Sequence, residues 1–186
     1  MEGDRWSALF ADLEAEAADA DRADFRAEVA DRTRREYALL RLVDRLRPAV
    51  GQALVLGLTA GSSVTGRLAE LGADWLLVDE GVTAALVPMP QVLTVAGLGA
   101  LSAPPRSPAE SRAALDLRYA LRRLARDRAP VSVALVDGNQ VVGTCDRVGR
   151  DFVEVAEHPV GEPRRRTAVR QVRAVQLSAI SVIRIG

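Results

Sequence analysis

Leu58-Thr59-Ala60-Gly61-Ser62-Ser63-Val64-Thr65-Gly66 and Leu135-Val136-Asp137-Gly138-Asn139-Gln140-Val141-Val142-Gly143 lie 77 residues apart and share a pattern of glycines and alternating apolar residues. With no gap, the same offset pairs Gly72-Ala73-Asp74-Trp75 with Gly149-Arg150-Asp151-Phe152, and Val78 with Val155. Seven of the 22 positions from Gly57 to Val78 are identical, where average residue usage gives about two by chance. The matches fall where backbone geometry constrains a β structure, at turns and at one face of a strand. One small β unit is therefore expected twice in the chain.

Working outward, period-two alternation predicts five short strands in the first unit: Val55 to Leu58, Val64 to Leu68, Trp75 to Val78, Ala84 to Val87 and Val92 to Val95. Five more follow: Val131 to Val136, Val141 to Arg147, Phe152 to Glu157, Thr167 to Gln176 and Ser178 to Ile185. Between the units, Gly97 to Arg106 has the composition of a linker. A helix is expected after it. Ser107, Pro108 and Glu110 form a capping box, Ala114, Leu117, Leu121 and Leu124 an apolar face, and Pro130 a stop. Arg118, Arg122 and Arg126 follow at spacing four on another face. Before Pro48 the chain is free of Gly and Pro from residue 4 onward and rich in Ala, Glu, Arg and Leu, which predicts helix. A single helix of that length runs roughly 65 Å. A break near Asp21 or an arm that packs on a partner chain is expected instead.

The resulting fold class is α+β, mainly β. Five strongly bent strands around one small core close into an SH3-type barrel, so two tandem barrels are expected, each preceded by helix. The divisions fall at 1–48 (helical arm), 49–98 (first barrel), 99–129 (linker and arginine-rich helix) and 130–186 (second barrel).

The net charge of zero conceals a dipole. Residues 1–98 hold 16 acids and 10 arginines, a balance of −6; residues 99–186 hold 9 acids and 15 arginines, a balance of +6. Either the two ends complement each other, or the basic half meets a polyanion. No apolar run reaches the length of a membrane span, and the acidic N-terminal stretch does not read as a signal peptide. The single cysteine, Cys145, excludes an intrachain disulfide and fits a reducing cytoplasm. With one histidine, His158, and one thiol, neither a zinc site nor a Cys/His dyad assembles within one chain. Gly57 to Ser63 lacks the lysine of a phosphate loop and leads into a strand. Asp74 and Asp151 stand at matching strand starts and read as turn residues, not as an acid/base pair. No enzyme, cofactor or metal is expected.

Ala120-Leu121-Arg122-Arg123 and Arg126-Asp127-Arg128-Ala129-Pro130-Val131-Ser132-Val133-Ala134-Leu135-Val136-Asp137-Gly138, with Gly143, Asp151-Phe152-Val153 and Ala179-Ile180-Ser181-Val182-Ile183, resemble the Sm-like (LSm) superfamily. Within it they are most similar to the bacterial RNA chaperone Hfq. The resemblance covers about 65 residues of the second unit; the first matches only the general Sm pattern. It implies two Sm-like barrels and an RNA-binding or post-transcriptional regulatory role. It also implies RNA rather than DNA as ligand, and self-association through barrel edge strands; pairing of the two barrels within the chain, or a dimer set by the N-terminal helices, stays open beside it.

By the same resemblance, Arg126 and Arg128 fall on a lateral RNA-binding patch, with Ala125 in place of a third basic residue. Phe152 matches an aromatic on which a uridine stacks, with Asp151 where the family has Gln. Leu177-Ser178 stands where the family has a Lys-His pair that grips RNA in a central pore. Arg122, Arg123, Arg126, Arg128, Phe152 and the loop arginines Arg164, Arg165 and Arg166 are thus the candidate nucleic-acid contacts. Two alternatives stay open. An arginine-rich helix face also serves as a solvated surface, paired with Asp127 and Glu110, and Trp75 and Phe152 also read as barrel core. The rival function is a protein–protein scaffold that keeps the barrel without binding nucleic acid.

Overall fold

The structure is a computed structural model that describes residue 22 and residues 25–104, 115–158 and 170–186. It divides into two compact units between Arg41 and Leu42. In the first, helix α1 covers residues 25–38. Its exposed side chains pair along the helix, Arg32 with Glu36 (3.1 Å) and Arg34 with Asp31. The break expected near Asp21 lies outside the described residues.

The second unit opens with the short helix α2 (Leu42–Leu46) and a 3-10 turn, Arg47–Ala49, entered through Pro48. Ten strands follow: β1 (Ala53–Leu58), β2 (Ser63–Leu71), β3 (Trp75–Asp79), β4 (Ala84–Pro88) and β5 (Val92–Ala96), then β6 (Pro130–Leu135), β7 (Gln140–Val148), β8 (Phe152–Glu157), β9 (Gln171–Gln176) and β10 (Ile180–Ile185). Helix α3 (Leu117–Asp127) separates the two sets.

Strand for strand, the duplication holds. β1 to β3 recur as β6 to β8 at an offset of 77; β4 and β5 recur as β9 and β10 at 88, an insertion of 11 residues after β8. Pairing registers repeat as well. Ala53 faces Arg67 as Pro130 faces Thr144, and Trp75 faces Pro88 as Phe152 faces Gln176. Even the bulges coincide: β2 slips against β3 between Leu68 and Glu70, and β7 against β8 between Cys145 and Arg147.

The repeated glycines have repeated causes. A Cβ at Gly66 meets the Asp79 carbonyl, and one at Gly143 meets the Ala156 carbonyl, in the neighbouring strand. At Gly72 and Gly149 it meets the rings of Trp75 and Phe152.

Two separate barrels do not describe this arrangement. All ten strands join one open antiparallel sheet in the order β5-β1-β2-β3-β4-β10-β6-β7-β8-β9. The reason is edge satisfaction: β4 and β10, an outer strand of each half, pair with each other through Leu86–Ile183, Ala85–Arg184 and Ala84–Ile185. Each half nevertheless has its own core. Leu46, Leu56, Val64, Leu68 and Val78 belong to one, and Leu121, Val133, Cys145, Val155 and Ile180 to the other. The cores interlock at the seam, where Val182 joins the first, and Trp75 and Leu86 join the second.

Parts of two expected elements fall outside the described residues. The Ser107 capping box lies outside the described residues, as do Thr167 to Val169 of the expected ninth strand. The described helix starts at Leu117, because Asp116 is extended and its carboxylate accepts the Tyr119 N–H (2.9 Å). The linker is fastened rather than loose. Arg45 donates to the carbonyls of Gly99 (2.7 Å), Ala100 (2.9 Å) and Leu101 (3.0 Å), and Arg47 to that of Pro104 (2.8 Å).

Candidate nucleic-acid interface

Leu117, Ala120 and Leu121 turn one side of α3 onto the second core. The opposite side then carries Arg118, Arg122 and Arg126, one turn apart at about 6 Å of rise, with Arg123 beside them. Arg122, Arg123, Arg126 and Arg128 are all exposed. Acidic neighbours are close to some of them: Glu70 lies 3.7 Å from Arg123, and Asp127 lies 3.5 Å from Arg126. These pairs are solvated and weak.

Arg128 ends the helix in the left-handed conformation, φ +50°, the only described non-glycine residue with positive φ. Glycine or asparagine is the less strained choice at such a cap. The left-handed turn brings the Arg128 N–H to the Ala125 and Leu124 carbonyls, which closes the helix.

The N-terminus of α3 is locked to the first half of the sheet. The Leu117 N–H donates to Asp74 Oδ1 (2.7 Å), the Ala73 N–H to the Leu115 carbonyl (2.9 Å), and Trp75 Nε1 to that same carbonyl (3.1 Å). Beside this lock lies a cavity of about 380 Å³, where Arg118 and Arg150 meet Gln91 and Ser178, with Asp74 and Asp116 also lining it. Gln91 Nε2 donates to the Ser178 carbonyl (3.1 Å), joining the β4–β5 and β9–β10 connections.

Both carboxylates serve the helix. Burial pushes Asp74 above its ordinary pKa, against the pull of the Leu117 amide. Burial also raises Asp116, but Arg118 and the Tyr119 amide outweigh it and hold the group below its ordinary value. Two acids and two arginines thus leave the cavity itself without a strong field, whereas the helix face beyond it is basic.

Phe152 and Trp75, equivalent in the duplication, differ in cover. Trp75 is buried at 3% exposure beneath the segment entering α3, while Phe152 is 36% exposed. Phe152 therefore departs from the core reading: its ring packs over Gly149 and the residue stays partly open to solvent. Arg164, Arg165 and Arg166 lie outside the described residues.

Leu177 packs against the second core, which accounts for an apolar residue where the resemblance puts lysine. Cys145 is buried, with its thiol pushed up to about 11 by burial and by Asp146. Arg150 and Gln91 join the candidate residues. Gln91 belongs to no run or motif and Arg150 is not one of the repeated identities, so only the folded chain brings them to Arg118. No group of His, Cys, Asp and Glu that could hold a metal ion occurs among the described residues. No described helix is long and apolar enough to cross a membrane. In comparison with known proteins, no family model and no curated protein matches this chain.

Proposed function

We propose that this chain is a non-enzymatic RNA-binding protein of the post-transcriptional regulatory type, built from two Sm-like units in tandem and self-associating. The observation that carries this reading is the arginine face of α3, which runs from the half-buried Arg118 at the cavity, paired with Asp116, through the exposed Arg122, Arg123 and Arg126 to Arg128 at the helix end. Arginines spaced along one face offer bidentate donors to successive phosphates. The half-exposed ring of Phe152 adds a platform on which a base stacks, an interaction worth about 1–3 kcal/mol. The Sm-like assignment draws further support from the strand order, fifth-first-second-third-fourth in each half.

A scaffold without nucleic acid is the second reading. It is favoured by the two carboxylates in the cavity and by Leu177-Ser178. Gently purified protein separates the two. RNA binding predicts a raised 260/280 nm absorbance ratio that high salt strips to the protein value. A ratio at the protein value before any salt wash favours the scaffold.

A further inference from the structure

Helix α3 meets the seam between the halves along one face. Tyr119, Arg123 and Asp127 recur at spacing four, with Ala120 and Leu124 beside them, and these residues bound a cavity of about 230 Å³. The sheet supplies its floor. Leu77 on β3 faces Leu86 on β4, and Leu86 faces Ile183 on β10, two residues before Ile185. Leu77, Leu86 and Ile185 all line the cavity. Trp75 lines it too, its indole held by the Leu115 carbonyl (3.1 Å) and packed over Gly72. Strands of the first half and the helix of the second thus build this space together.

The chemistry changes from floor to rim. Trp75, Leu86 and Ala120 are buried, and Leu77, Leu124 and Ile185 are half-buried. At the rim stand Glu70, half-buried on β2, and the exposed Arg123 and Asp127. Arg123 lies 3.7 Å from Glu70. A guanidinium carries five N–H donors, and one pair at that distance does not occupy them.

An apolar floor beneath a rim of both signs fits a small zwitterion with an apolar tail. Volume limits the tail. A cavity of about 150 Å³ lined by Leu, Ile and Phe takes benzene, so this one holds a single ring and its adjoining carbons. It falls short of the roughly 300 Å³ at which sites for drug-sized ligands begin.

We propose that this cavity binds a free apolar α-amino acid of single-ring size. The side chain rests on Leu77, Leu86 and Ile185, the carboxylate on Arg123, and the ammonium on Glu70 and Asp127. The proposal is independent of RNA binding. Arg118, Arg122 and Arg126 lie on the adjoining face of α3, and among the candidate RNA contacts only Arg123 is shared.

The test titrates the full chain with L-phenylalanine. It is followed by calorimetry and by fluorescence of a Trp6→Phe variant, in which Trp75 is the sole tryptophan. Saturable binding with a Kd on the order of 1 mM or tighter is expected, with a change in Trp75 emission. Glycine has both charges and no side chain; N-acetyl-L-phenylalaninamide has the ring and neither charge. Each is expected to bind at least about tenfold more weakly. Arg123→Gln is expected to weaken phenylalanine about threefold to tenfold and to leave the amide unchanged.

No saturation by phenylalanine in folded protein overturns the proposal. Equal binding of the amide also overturns it and hands the cavity to an apolar side chain of a partner protein. A folded Arg123→Gln variant that binds phenylalanine as the parent does overturns the carboxylate contact, and with it the zwitterion. The comparison of the three ligands by calorimetry on the parent needs no variant, so it decides the matter even where a substituted chain fails to fold.

Discussion

Gly66 and Gly143 each sit beneath a carbonyl of the next strand, and no side chain fits there without moving backbone. Gly66→Ala and Gly143→Ala are therefore each expected to destabilise by about 1–3 kcal/mol, read as a lower urea midpoint with unchanged slope. Equal midpoints for variant and parent would mean the strands yield freely there. Arg128→Gly acts in the opposite direction. It relieves a left-handed arginine, so stability rises by roughly 1 kcal/mol, while a candidate donor to phosphate disappears. Thermal melts and oligonucleotide binding on the same variant check both signs. Residues of this kind were legible from sequence, because a glycine repeated at a fixed offset reports local backbone geometry. The different fates of Trp75 and Phe152 were not. They depend on what arrives from a distant segment, and nothing adjacent to either aromatic announces it.

At the scale of elements, α3 begins where Asp116 caps it, while the Ser107 motif lies outside the described residues. Asp116 accepts the Tyr119 N–H and Asp74 the Leu117 N–H, so a local cap and a tertiary contact fix this start together. Asp116→Ala is expected to cost about 1 kcal/mol. Its folded carboxyl lies below the ordinary value, so the contribution is present above the unfolded pKa and fades as pH falls through the folded one. Urea unfolding of parent and variant at pH 7 and pH 3 tests this: the gap between them should shrink in acid. Asp74 behaves oppositely. Burial raises its pKa, so its ionisation opposes folding as pH rises. Asp74→Asn keeps an acceptor for the Leu117 amide, removes a negative charge from the cavity, and should tighten oligonucleotide binding without loss of stability. Weaker binding by that variant would count against phosphate lying near the cavity. The strands of both halves were readable from alternation alone. The 11-residue insertion hid the continuation of the repeat into β9 and β10, since the offset changes after β8.

Across the whole molecule, duplication explains more than it first suggests. Two copies of a unit with complementary edges pair once within the chain, which turns two expected barrels into one ten-stranded sheet and leaves one complementary pair of edges outward. Pairing partners between distant strands are set by edge chemistry and relative orientation, which periodicity does not encode. The arginine candidates on α3 were legible as a charge pattern. The cavity at its N-terminus was not, because Arg118, Arg150, Gln91 and Ser178 come from four separate segments. The basic face also makes the functional claim measurable. Titration of the folded parent protein with a labelled uridine- or adenine-rich oligonucleotide at low salt, followed by anisotropy, tests it most directly. The expected result is saturable binding that weakens linearly on a log–log plot against salt. In the Arg126→Ala, Arg128→Ala variant binding is weaker still, and the slope is flatter by roughly 0.7 for each phosphate no longer neutralised. No binding at low salt by protein whose circular dichroism shows it folded would contradict RNA binding and leave the scaffold.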